Sequence, residues 1–167
     1  MPARELAELV EAAGTDYVGA TVDAGNATWA LEDPVRNLEI LAPYAVSSGI
    51  RDSMVWEDSR GAVAQWAAMG DGCVDLDGYF DRFEKRCPET PVQLEIISGS
   101  ARSFPYLEPG LRRGASRRLR PLRRACEEGA SHKPPEGADK KTAEREYQKA
   151  QIERSIRYAR DVLGLGL

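Results

Sequence analysis

With 167 residues, of which 42% are apolar, the chain has material for one domain with a packed core and is no disordered polypeptide. Its three cysteines, Cys73, Cys87 and Cys126, form no C-x-x-C pair, which excludes a zinc ribbon or disulfide framework and leaves thiols in a reducing cytoplasm as the expected state. No apolar run approaches roughly 20 residues, and the amino terminus reads as a polar amphipathic helix, so membrane spanning and secretion are excluded on this reading.

The net charge of -4 is unevenly distributed. Seven arginines and no acid lie between Arg112 and Arg124, which leaves 16 basic against 27 acidic residues elsewhere, a net of -11. So acidic a body repels a nucleic-acid backbone, and the Arg-rich stretch lacks the interleaved aromatics of a nucleic-acid arm. Its abrupt change of composition marks it instead as a divergent or mistranslated segment. The single histidine, His132, sits in a polar linker beside Lys133-Pro134-Pro135. Chemistry that needs a histidine base or several imidazole ligands is thereby excluded.

Taken in chain order, Leu6, Leu9, Val10 and Ala13 recur at helical spacing over Ala3 to Ala13, and Gly14 stops that helix. Tyr17 to Val22 is a short β-branched strand that runs into a polar loop, Asp23-Ala24-Gly25-Asn26. Asp33-Pro34 then starts a second helix with Val35, Leu38, Leu41 and Ala42 on one face, ended by Pro43. Ala45 to Ile50 reads as a second strand. Met54 to Trp56 and Val63 to Trp66 flank Asp58-Ser59-Arg60-Gly61 and predict a hairpin. Asp75 caps a third helix with Leu76, Tyr79, Phe80 and Phe83 inside, and Val92 to Ile97 is the third strand. After an irregular stretch, a final helix runs from about Asp139 to Leu163, with Ala143, Tyr147, Ala150, Ile156, Ala159 and Leu163 as its apolar stripe.

Strands that alternate with helices imply a parallel sheet with right-handed crossovers, and functional groups in such sheets gather at the carboxyl ends of the strands. Those ends carry Asp23 with Asn26, Arg51 with Asp52, and Glu95. Asp23 and Asn26 read equally well as turn formers. Glu95, inside an apolar strand, calls for a partner: a metal, an arginine or solvent. Trp29, Trp56 and Trp66 are candidates for a sugar-stacking wall, although packing is the commoner fate of tryptophan.

The segments VGATVDAGNATWALEDPVRNLEILAPY (18–44), VSSGIRDS, MGDGCVDLDGYFDRF and PVQLEII, in this order, resemble the sugar phosphate isomerase/epimerase family with a xylose isomerase-like TIM barrel. Agreement runs from about Glu5 to Ile97. The resemblance implies an α/β fold equivalent to about the last three parallel strands of the barrel with their helices, over residues 1–107. An Arg/Pro/Gly-rich connection (108–138) and a C-terminal amphipathic helix (139–167) follow, the latter like an extension some members carry. It also implies a divalent metal, Mn, Mg, Co or Zn, bound by Asp23 and Glu95, with Glu95 moving a proton while the metal stabilises an enediolate. Asn26, Arg51, Asp52 and Trp56 are the implied contacts to a sugar or sugar phosphate.

Two departures stand against that pattern. Gly49 takes the place of the seventh-strand metal histidine, and the fourth strand, which supplies a further metal glutamate, is not among the segments that match. A whole barrel takes about 250 residues. The alternative is therefore a noncatalytic fragment or interaction module completed by a second copy or by the missing barrel half, since three parallel strands leave an apolar edge and an open interior. An abasic-site endonuclease of the same barrel superfamily is disfavoured by the near absence of histidine.

Overall fold

The computed structural model describes residues 1–108 and 139–166. Most of the irregular connection, with Cys126, His132 and the Arg112 to Arg124 stretch, lies outside them. The elements are α1 (Ala3–Ala13), β1 (Ala20–Val22), α2 (Ala24–Trp29), α3 (Pro34–Leu41), a 3-10 turn at Ala42–Tyr44, β2 (Ala45–Ser48), β3 (Asp52–Glu57), β4 (Ala62–Ala67), α4 (Leu76–Arg86), β5 (Ala101–Phe104) and α5 (Lys140–Asp161).

β1 and β2 pair in parallel, Ala20 opposite Ala45 and Val22 opposite Ser48. A parallel bridge between Ile50 and Leu94 adds the third chain segment, through Ile50 N–H to the Gln93 carbonyl at 2.7 Å and Glu95 N–H to the Ile50 carbonyl at 3.0 Å. The strand expected over Val92 to Ile97 is thus in place with a single ladder bridge, supplemented by the Ser48 hydroxyl, which accepts the Gln93 N–H at 2.9 Å and donates to the Pro91 carbonyl at 2.7 Å. On one face of this layer Ala20, Val22, Ile50, Leu94 and Ile96 pack with Leu38 and Leu41 of α3 and Leu76, Tyr79 and Phe83 of α4. Aspartates start four of the helices: Asp23, Asp33, Asp75 and Asp139 each accept the N–H of the residue three positions on. On the opposite face of the layer, Thr21 and Glu95 flank Gly49 and are exposed. These positions are polar or lack a side chain.

The expected hairpin forms as β3 and β4, antiparallel from Asp52 opposite Ala67 to Glu57 opposite Ala62. A further strand, β5, over residues whose sequence carries no strand pattern, pairs with β4 and completes a small antiparallel sheet. The connections after β2 and after the Leu94 segment therefore jointly build a layer beside the carboxyl end of the parallel strands. The loop Asp23 to Asn26, expected as a turn, is instead the start of the short helix α2.

Two helices bury faces different from those expected. In α1 the contact rests on Ala3 and Val10, with Leu9 left 55% exposed, because this outer helix touches α3 and β1 along a narrow line. In α5 the buried residues are Gln151, Ser155 and Ala159, while Ile156 is 53% exposed. Hydrogen bonds to bare backbone choose that face. The Ser155 hydroxyl accepts the Met69 N–H at 3.0 Å and donates to the Gln151 carbonyl at 2.8 Å. Gln148 clamps residue 98, accepting the Ser98 N–H at 3.0 Å and donating to its carbonyl at 2.7 Å. Gly70, at φ +83°, lets the Tyr158 ring lie where a Cβ would stand, 2.4 Å away. Among the described residues no helix is long and apolar enough to cross a membrane.

An isoleucine on α5 should accordingly matter less than a serine. Ser155→Ala strands the Met69 N–H and is expected to lower unfolding free energy by about 1–3 kcal/mol, whereas Ile156→Ala stays within about 0.5 kcal/mol, as read by urea denaturation.

Candidate functional site at the carboxyl rim

Three chain segments end within reach of one guanidinium. Asp23 follows β1, Arg51 follows the β2 segment by one residue beyond the Ile50 bridge, and Glu95 follows Leu94. Arg51 Nε donates to Asp23 Oδ2 at 2.9 Å, and its Nη2 meets Glu95 Oε2 at 2.5 Å. Arg51 is 2% exposed and Asp23 9%. The Glu95 side chain is about half exposed, at 53%. The partner its position called for is therefore an arginine on one side and solvent on the other.

Asp23 is oriented twice over. Its Oδ1 accepts the Asn26 N–H at 3.1 Å and caps α2, which turns Oδ2 toward Arg51. Burial pushes its carboxyl up to about 6, opposed by the Arg51 charge and the Asn26 hydrogen bond. The guanidinium lies over the Trp66 ring, 4.4 Å from the centroid, and Trp66 stacks on Trp29 at 4.3 Å and 17°. Arg51 Nη1, Trp66 Nε1 and Trp29 Nε1 are buried without a hydrogen-bond partner among the described residues.

Two glycines make room for this arrangement. A Cβ on Gly25 would stand 2.3 Å from Arg51 Cγ and 3.1 Å from the Ser53 hydroxyl oxygen. A Cβ on Gly49 would stand 2.8 Å from Glu95 Oε2, so position 49 does face the rim, and its empty space is filled by the glutamate.

The remaining expected contacts are not brought to this cluster. Asp52 is 1% exposed and turns the other way: its carboxylate accepts the N–H groups of Ser53 (2.7 Å), Gly72 (2.9 Å), Gly70 (3.1 Å) and Val74 (3.2 Å). It anchors the 70–74 loop, with no oxygen left over for a ligand. Burial pushes its carboxyl up to about 6 against the pull of these four donors. Trp56 is paired with Val63, whereas Trp66 is paired with Ser53, so along alternating strands Trp56 projects from the face opposite the Arg51 stack. Asn26 is exposed on the first turn of α2 and contributes its backbone N–H to Asp23. Gly25 is the residue that the sequence left unassigned, and of the three candidate wall tryptophans Trp29 and Trp66 are brought to Arg51, by the crossing of α2 with β3 and β4.

No family model matches the chain, and neither does any curated protein. Among solved structures, a xylose isomerase domain protein from Planctomyces limnophilus superposes with a TM-score of 0.50 at 20% identity, over 75% of this chain and 41% of that one. The fold is xylose isomerase-like. The chain thus spans less than half the length of the protein it resembles. The mixed architecture of parallel strands backed by helices agrees with the fold class expected from the sequence.

A divalent metal is what the xylose isomerase-like resemblance implies, and the residues at this rim do not fit one. The two carboxylates expected as ligands are both engaged by Arg51, and among the described residues no three His, Cys, Asp or Glu side chains group around a common point. A cleft of about 660 Å³ lies elsewhere, between α4 and the 162–165 turn; Phe80, Phe83 and Val162 line it beside Asp77 and Asp81. It holds none of the rim residues.

Two outcomes follow for the rim. Because the folded-state value of Asp23 is raised above its ordinary 3.8, its contribution to stability is fully present below pH 3.8 and is lost as pH rises through about 6. Denaturation of wild type against Asp23→Asn should show the wild type's relative stability falling by about 1–3 kcal/mol between pH 4 and pH 7. Gly25→Ala, which collides with the stem of Arg51, is expected to cost about 1–3 kcal/mol and to shift Trp66 fluorescence as the cation–π contact opens.

Proposed function

We propose that the chain acts as a sugar isomerase/epimerase-like protein that takes an uncharged sugar at the carboxyl rim, with Glu95 as the carboxylate that meets it. The observation behind this reading is the half-exposed Glu95, pinned by Arg51 beside stacked indoles at the strand ends of a xylose isomerase-like fold. A carboxylate so held can accept a sugar hydroxyl or move a proton. Asp23 and Glu95 against Arg51 leave the cluster net negative. That disfavours a phosphate or carboxylate on the part of the ligand in contact.

A second reading is favoured by the burial of Arg51. Enediolate chemistry needs an electrophile on the substrate carbonyl, and a cation that is 2% exposed does not reach one. The rim then binds a sugar without turning it over, as in a noncatalytic module.

The two readings separate in one experiment. Tryptophan fluorescence is titrated with a panel of aldoses, ketoses and their phosphates, and interconversion is followed by NMR. Binding of uncharged sugars with turnover that falls at least about 100-fold in Glu95→Gln supports the enzyme. Binding alone supports the module, and folded protein that neither binds nor converts any sugar refutes both.

A further inference from the structure

We infer that Arg51 is the resident cation of this rim, a guanidinium built into the space between Asp23 and Glu95 that keeps a divalent ion out. The inference does not depend on whether the rim binds or converts a sugar. Its ground is a set of four adjustments that serve one end. Arg51 spans both carboxylates, at 2.9 Å to Asp23 and 2.5 Å to Glu95. Trp66 covers the flat face of its guanidinium at 4.4 Å. Gly25 gives up the volume its stem occupies, and Gly49 gives up the volume Glu95 occupies. A side chain at either glycine would dislodge one half of the bridge.

The unpaired groups point the same way. A metal centre needs several spare acceptors, but the buried polar atoms left without a partner in this cluster are donors, Arg51 Nη1, Trp66 Nε1 and Trp29 Nε1, and the acceptor that Glu95 keeps on its solvent side belongs to a single carboxylate. To enter, a divalent ion would have to expel a buried arginine and strip it of both counter-charges, a large cost. Arg51 in turn touches no ligand directly. It is a positioning residue, which holds Glu95 at the strand ends and compensates the charge of Asp23. A fixed monovalent cation offers no open coordination position and exchanges with nothing in solution.

The test uses the full chain and Mn²⁺ alone, followed by EPR of the free ion, with circular dichroism as the check on folding. Wild type is expected to show no saturable binding below about 1 mM, and Arg51→Met to acquire a Mn²⁺ site at least about tenfold tighter. Adding Asp23→Asn to Arg51→Met should abolish that site. Wild-type binding below about 1 mM that Glu95→Gln removes would overturn the proposal, as would a folded Arg51→Met protein that binds no more Mn²⁺ than wild type. Should Arg51→Met fail to fold, the wild-type side-chain Nε–H resonance of Arg51 decides: it is expected to stay sharp in submillimolar Mn²⁺. Selective broadening of that resonance would place the ion at the guanidinium and refute the claim.

Discussion

The rim of this protein is organised by one guanidinium between two carboxylates. Arg51 joins the end of β1 to the segment that follows Leu94, and it lies on an indole contributed by a separate antiparallel sheet. Remove the charge and Asp23 becomes a buried anion with only the cap of α2 to satisfy it, while Glu95 loses what keeps it over Gly49. Parallel strands in this fold class present their carboxyl ends as a common platform, and here a salt bridge adds to the single ladder bridge and the Ser48 side-chain hydrogen bonds that hold the third segment.

A second buried acid shows how differently the same residue type is used one position away. Asp52 has no cation; four backbone N–H groups neutralise it and hold the 70–74 loop, and Gly72 is required because a Cβ there would stand 2.0 Å from Asp52 Oδ1. The far side of the same loop receives Ser155 and Tyr158 of α5. The chain from Arg51 through Asp52 to α5 therefore links the rim to the C-terminal helix through hydrogen bonds, where the sequence suggested an apolar stripe.

Much of this was legible in advance. The helix starts at Asp33 and Asp75 were readable because capping and proline placement act locally, and the β3–β4 hairpin because turn chemistry does. The convergence of Asp23, Arg51 and Glu95 followed from strand order. What stayed hidden was set by long-range contact: that α2 is a helix, that Ala101 to Phe104 joins β4, that α5 presents Gln151 and Ser155 inward. The choice of Trp56 over Trp66 as the rim aromatic turned on hairpin register, where one residue changes the face. Gly25 read as part of a polar loop and Gly49 as a missing histidine, and only their neighbours show the volume that each gives up.

The rim arrangement requires that Arg51 and Asp23 be energetically coupled. A double-mutant cycle of Asp23→Asn and Arg51→Met, measured by urea denaturation at pH 7.5, reads that coupling directly. The structure predicts a favourable interaction of about 1–3 kcal/mol. Additive effects, with coupling under about 0.5 kcal/mol, would mean that the guanidinium is not held by the carboxylate and would contradict the whole arrangement.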